Sequence, residues 1–331
     1  MSNCFSPANI LLPNDGIDME KWSVIACDQF TSQADYWDAV EKYVGDAPST
    51  LNVVFPEIYL GTIENQENDC NSSGDGVKND KETGRKTKYA SMTDDERIKY
   101  INTTMDTYLT DGTLKQVVAD GYVLVERTTE SGVRLGIVGL IDLDDYDFDP
   151  KKKTLIRATE GTVISRIPPR VKIRENAAIE LPHVMLLVDD PIDRQKLDGC
   201  QGATQEDAVN IAAVKHGIIE YVYAIRDTLR KLYDTELMQG GGHIRGYAVE
   251  GEAAKQVTEA FAAKQNSCGG FLFAVGDGNH SLATAKTCWE NIKKSGKFTE
   301  EQLKTHPARH ALVEICNLHS EALEFKPIHR L

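Results

Sequence analysis

Three features are scarce or missing in this 331-residue sequence, and each absence argues against a class of protein. No apolar run approaches the roughly 20 residues of a membrane helix, and residues 1–12 lack the pattern of a secretory signal. Basic residues number 37 against 51 acidic ones, so the formal charge of −14 disfavours duplex nucleic acid or an anionic membrane as partner. The seven cysteines are scattered without any Cys-x-x-Cys pair, which disfavours a disulfide framework or a cysteine-based zinc site. We therefore expect a cytoplasmic protein whose partner is a small anionic metabolite or nucleotide.

What is present is ordinary globular composition, with 41% hydrophobic and 27% charged residues. The length suggests about two parts, 1–150 and 151–331, which we expect to form one integrated catalytic unit. Residues 64–88 are rich in Asn, Asp, Ser, Gly and Lys, which predicts a mobile surface insertion. The last residues, 327–331, read like a strand that has only begun, which indicates a C-terminally truncated chain.

Hydrophobic periodicity predicts helices and strands that alternate irregularly along the chain. Helices are predicted at 33–43, 93–109, 218–233, 252–264 and 281–292, and a shorter one begins at Pro168-Pro169. Strands are predicted at 22–26, 53–60, 183–188, 244–249 and 271–275, together with a hairpin formed by 122–127 and 133–143. This order favours an α/β or α+β fold in which helices flank a mixed sheet.

The most informative segment is a glycine-bracketed loop between a predicted buried strand and a predicted helix. Its residues are Gly276, Asp277, Gly278, Asn279, His280 and Ser281. The first turn of a helix has free backbone N–H groups at the positive end of the helix dipole, so the loop predicts a phosphate-binding site. Asn279 and Ser281 are candidate ligand contacts, and His280 is a candidate proton carrier. The spacing is neither a Walker A loop nor a Rossmann fingerprint, so a capped turn needed only for packing remains the alternative.

Two other groups of polar residues are candidates for the same site. The first is a polar stretch with Arg157, Glu160, Arg166, Arg170 and Arg174. Arginine forks suit phosphates and a glutamate among them suits a base or metal ligand, but the stretch is more typical of a solvated helix face. The second is Asp28, which follows the predicted strand at 22–26, a common position for a catalytic carboxylate. A helix cap or turn is the alternative for Asp28.

Several segments together carry a family resemblance. They are residues 276–286, residues 25–32, residues 157–160 and, at the end, Pro327-Ile328-His329-Arg330. With them the sequence resembles, over nearly its whole length, the conserved bacterial family catalogued as domain of unknown function 1015. Members of that family usually continue beyond the last of these motifs, which also implies a truncated chain.

The central motif of that family usually reads Asp-Gly-His-His-Arg. It is similar to the Gly-x-His-Arg element of the ParB and sulfiredoxin superfamily, where the start of a helix binds nucleotide phosphates and some members are free-serine kinases. The resemblance implies a ParB/sulfiredoxin-like nucleotide-binding element at residues 276–281, with ATP or ADP and Mg²⁺ as cofactors. Asn279 stands here for the first His and Ser281 for the Arg, so Arg166, Arg170 or Arg174 would have to supply the missing charge.

The leading functional hypothesis is a nucleotide-dependent phosphotransferase, a kinase for a small hydroxylated metabolite such as serine. In this hypothesis residues 276–281 hold the phosphates, Asp28 or Glu160 takes the hydroxyl proton, and His280 polarises or shuttles a proton. One alternative is a regulatory protein that binds a metabolite or nucleotide without catalysis. Another is a phosphate-ester hydrolase that uses Cys27 or His280.

Overall fold

The computed structural model describes residues 3–26, 30, 33–59, 88–89, 91–164, 167–181, 184–192 and 217–323. The predicted insertion at 64–88 lies outside these ranges except for its last residue. Cys27, Asp28, Arg166 and the segment 327–331 also lie outside them.

Eleven strands of the described ranges form one connected sheet. They are β1 (Phe5–Ser6), β2 (Ala8–Pro13), β3 (Leu114–Thr129), β4 (Gly132–Asp142), β5 (Tyr146–Asp147), β6 (Ile156–Arg157), β7 (Met185–Val188), β8 (Arg230–Glu236), β9 (His243–Val249), β10 (Phe273–Asp277) and β11 (His310–Asn317). The main order is β5-β6-β10-β7-β11-β4-β3-β9-β8, with β1 beside β4 and β2 beside β3. The pairs β5–β6, β6–β10 and β7–β11 are parallel and the others antiparallel, which confirms the expected mixed sheet.

Helices cover the two faces of this sheet unequally. They are α1 (Met19–Trp22), α2 (Ala34–Val44), α3 (Asp94–Thr110), α4 (Ile167–Arg174), α5 (Ile218–Ala224), α6 (Gly251–Ser267), α7 (Asn279–Lys294) and α8 (Glu300–Lys304). Apolar side chains of α5, α6 and α7 form the main core with the sheet face that carries Ile315. Leu312 lies on the opposite face, because side chains alternate across a strand. Helices α1, α2 and α3 form a separate N-terminal layer, centred on Trp22 and Trp37.

The strongest local patterns gave correct predictions, and three weaker ones were wrong. The helix predicted at 93–109 is α3, and its capping box joins Thr93 and Glu96. The predicted strand at 22–26 is instead the end of α1 followed by irregular chain, because the Asp18 carboxylate caps that helix. Within the strand predicted at 53–60, the described residues 53–59 form no strand, since 53–56 are irregular and Glu57–Tyr59 form a short 3₁₀ turn. The helix predicted at 218–233 ends early, because residues 230–236 form β8 and pair with β9.

At the outer edge of the sheet, His243 of β9 bridges two carboxylates of β8. Its Nδ1 lies 2.8 Å from Glu236 Oε1 and its Nε2 lies 2.6 Å from Asp234 Oδ1. These hydrogen bonds raise the pKa of His243 above its ordinary value. A group whose pKa is higher in the folded chain than in the unfolded chain stabilises the fold fully at pH values below the unfolded-state pKa. That stabilisation is lost as the pH rises through the folded-state pKa.

We therefore expect the His243→Gln variant to be less stable than the unaltered protein only toward acidic pH. The difference in urea midpoint is expected to be clear at about pH 5.5 and to vanish at about pH 9, where the imidazole is neutral in both folded and unfolded chains. Urea unfolding followed by circular dichroism at both pH values measures it. A difference that is the same at both pH values would contradict the electrostatic role.

None of the helices in the described ranges is both long and apolar enough to cross a bilayer.

Candidate functional site

The glycine loop connects β10 to α7 by a sharp turn at Gly278. Gly278 has φ +85°, a left-handed conformation that glycine adopts without a steric penalty. Glycine is required at position 276 for a different reason: a Cβ there would lie 2.9 Å from Leu187 Cγ on β7. Both glycines are thus accounted for by the local chain path. The predicted sequence of strand, tight turn and helix is confirmed.

The N-terminus of α7 has unused backbone donors. No side chain caps the helix, and Leu282 N, which donates to Gly278 O, makes the first helical hydrogen bond. The amide of Gly278 donates to Asp277 Oδ1 at 2.7 Å. Within the described ranges, no protein acceptor bonds the amides of Asn279, His280 or Ser281. Three backbone donors at the positive end of a 16-residue helix therefore have no protein acceptor among the described residues, and a helix start of this kind favours an anion.

A clamp between Thr159 and Asn279 brings the 157–160 motif to the loop. β6 and β10 are parallel neighbours, with Ile156 opposite Phe273, so the segments that follow them leave the sheet at the same edge. The Asn279 side chain, 4% exposed, accepts from Thr159 N at 3.2 Å and donates to Thr159 Oγ1 at 3.3 Å. Thr159 Oγ1 also donates to Val275 O at 2.7 Å. The Asn279 side chain therefore fixes the site, and its backbone amide is what it can offer to a ligand.

Glu160 and His280 flank this clamp. Glu160 is exposed and forms no hydrogen bond or ion pair with any other described residue. The amide of Val163 donates to His280 Nε2 at 3.3 Å, so a neutral His280 carries its proton on Nδ1. Ser281 is half-buried, one residue further along α7. The loop thus has an imidazole in the first turn of α7, and the exposed Glu160 is the chain neighbour of the clamped Thr159.

The two described arginines that were predicted to bind phosphate are already paired with carboxylates. Arg170 lies 2.9 Å from Glu57, and Arg174 contacts both oxygens of Glu180 at 2.8 and 2.5 Å. Both are on α4, which packs against α7. Any phosphate contact would have to compete with these ion pairs.

A charged group that the sequence reading missed lies on the sheet beside the loop. Asp277 of β10 and Glu314 of β11 are both in register with Met185 on the intervening β7. Arg134 Nη2 donates to both oxygens of Glu314, at 3.0 and 3.3 Å. Gly136 makes room for that carboxylate, because a Cβ there would overlap it. The sequence signal for this ion pair was a charged residue inside an apolar run, Arg134 in one strand and Glu314 in another.

Within the ranges that the structure describes, no three His, Cys, Asp or Glu side chains group closely enough to hold a metal ion. The Mg²⁺ expected with a nucleotide remains a prediction.

The Thr159–Asn279 clamp can be tested by a double-mutant cycle. We expect Thr159→Val to cost about 1–3 kcal/mol of unfolding free energy, because it leaves the buried side-chain amide of Asn279 without its acceptor. Asn279→Ala should cost about 0.5–1.5 kcal/mol, because it removes two hydrogen bonds to the more exposed Thr159. The double variant is expected to cost less than the sum of the two. Urea unfolding measures all three. Strict additivity would show that the two side chains do not stabilise each other.

The described chain is thus a mixed α/β protein with an uncapped helix start at the carboxyl ends of two parallel strands. A family described as "Protein of unknown function (DUF1015)" matches residues 82–230 and 215–331, and the chain belongs to that family. No curated protein and no solved structure gives a significant match.

Proposed function

We propose that this protein is a nucleotide-dependent phosphotransferase that acts on a small hydroxylated metabolite such as serine, in the cytoplasm. The observation that supports it most is the set of three amides on α7 without a protein acceptor, in the same helical turn as His280. Phosphoryl transfer depends chiefly on positioning and on fixed positive charge, which a helix start supplies. In this proposal residues 276–281 act as a ParB/sulfiredoxin-like phosphate-binding element.

Each group has one task in the proposed reaction. The amides of Asn279, His280 and Ser281 hold the phosphates of ATP or ADP, with Mg²⁺ offsetting their charge. An acceptor hydroxyl oxygen attacks the terminal phosphorus, the bond to the leaving phosphate oxygen breaks, and Glu160 receives the hydroxyl proton. His280 donates from Nδ1 to the substrate. Asp28 is the alternative base.

The proposed site has little positive charge to offset the negative charge of the phosphates, and adding a positive charge tests whether phosphates bind there. Ser281 occupies the position where the related motif carries arginine. We expect Ser281→Arg to tighten MgADP binding by about tenfold, because a guanidinium–phosphate pair would form at the helix start. Ser295→Arg, at the opposite end of α7, is the matched control and should leave affinity unchanged. Isothermal titration calorimetry measures both.

The outcome with the unaltered protein decides the proposal. MgATP and MgADP should bind and raise the melting temperature, and a panel of hydroxy acids should identify the acceptor. Absence of any thermal shift with nucleotides at about millimolar concentration would discard nucleotide binding.

A nucleotide-binding regulator is the second candidate. The arginine ion pairs and the structural use of Asn279 favour binding without turnover. Single-turnover assays with labelled ATP distinguish the two, since a regulator binds the nucleotide and leaves it intact.

A further inference from the structure

A large cleft lies between the N-terminal helical layer and the sheet face that carries Leu312. Its volume is about 1190 Å³. Val138, Leu140 and Leu312 line its floor, Trp22 of α1 lines one wall, and Ile292 of α7 lines the other. Residues 276–281 are not among the described lining residues, and Cys288, the first α7 residue that lines it, is about 13 Å along the helix from Asn279.

The size and surface of the cleft indicate an apolar occupant. Ligand pockets commonly enclose about 300–1,000 Å³, so a molecule the size of serine would leave most of this cleft unfilled. Most of the lining side chains are apolar, and they come from the sheet, from α1 and α7, and from the segment 175–181 that follows α4. Removing such a surface from water stabilises a bound apolar molecule.

The charges of the lining indicate an uncharged occupant. Arg174 and Glu180 form an ion pair and neutralise each other. The remaining formal charges of the lining are one positive charge, on Lys297, and one negative charge, on Glu175, which sum to zero. Burial lowers the pKa of His310, which leaves that imidazole neutral at neutral pH. A charged ligand would therefore lose hydration without gaining a counter-charge.

Uncharged polar groups are nevertheless present. Asn176, Asn291 and Ser23 line the cleft, and none of these side chains has a hydrogen bond to another described residue. Such groups fix the orientation of one polar end of an otherwise apolar ligand. We propose that this cleft is a second binding site, for an uncharged apolar molecule with a hydroxyl or amide at one end.

A series of probes with one chain length tests the charge preference. The probes are 1-decanol, titrated below its solubility limit, and decanoate and decyltrimethylammonium, each titrated below its critical micelle concentration. We expect decanol to bind about tenfold more tightly than either charged probe, because only the charged probes lose ionic hydration. Equal or tighter binding of a charged probe would overturn the proposal, as would absence of decanol binding to the folded protein.

A tryptophan readout locates the bound probe. Trp22 lines the cleft, whereas Trp37 and Trp289 are buried elsewhere. A brominated decanol should quench part of the tryptophan fluorescence, and Trp22→Phe should abolish that quenching. Quenching that survives in Trp22→Phe would place the probe elsewhere and refute the site.

A blocking variant completes the test. Leu312→Trp should fill part of the cleft and weaken decanol binding about tenfold, and Leu140→Trp serves if the first variant fails to fold. Leu109→Trp, at an exposed position on α3, is the matched control. Equal binding by blocked and control variants would refute the proposal. Because the site is separate from residues 276–281, its failure would leave the nucleotide proposal untouched.

Discussion

Replacing Glu160 with glutamine should slow phosphoryl transfer by about 10²- to 10⁴-fold while leaving MgADP affinity within about twofold. Glutamine has the same size as glutamate but is not basic, so the variant should lose only the transfer of the hydroxyl proton. Glu160 is exposed, and neighbouring Thr159 is fixed to the loop by Asn279. Its carboxylate is one residue from the clamp and is not neutralised by another described residue, so we expect it to reach the proposed phosphate site.

The control for this variant is Glu175→Gln, which makes the same chemical change at an exposed residue after α4. Single-turnover rates with MgATP and the identified acceptor, together with calorimetric MgADP affinities, separate chemistry from binding. If Glu160→Gln retains the full rate, the base is another group, and Asp28→Asn becomes the next variant. If both rate and affinity collapse, Glu160 holds the phosphate site together and does not act as the base.

The site could be predicted from the sequence as far as the local chain dictates it. The run of residues 271–282 has a buried apolar strand, two glycines and an amphipathic helix, and these features alone define β10, the turn and α7. The hairpin of β3 and β4 was predictable for the same reason, since both strands are long and apolar and join across a short turn.

The assembly of the site could not be predicted, because it depends on contacts far apart in the chain. β6 has only two residues, too few for any periodicity, yet its parallel pairing with β10 brings Thr159 to Asn279, 120 positions away. Glu314 was missed for a related reason. Its role depends on Arg134 and on the space above Gly136, which only the strand order of the sheet brings together.

The largest effect on stability is expected from Asp190→Ala, about 3–5 kcal/mol of unfolding free energy. Asp190 follows β7 and is fully buried. Its carboxylate accepts from Lys264 Nζ at 2.9 Å and from the amide of Ile218 at 2.7 Å. Alanine would therefore leave a largely buried ammonium and a buried amide without their acceptor.

The adjacent Asp189 provides a control of the same residue type. Its side chain is 77% exposed and pairs only with partly exposed His319 among the described residues, at 2.8 Å. Water screens such a pair, so Asp189→Ala should cost less than about 1 kcal/mol. Urea midpoints of the two variants measure the contrast. The two neighbouring carboxylates would then differ severalfold in their contribution to the free energy of unfolding. The reason is that Asp190 links β7 to α5 and α6 inside the core, whereas Asp189 faces solvent. Similar small losses for both would show that Lys264 finds another acceptor once Asp190 is gone.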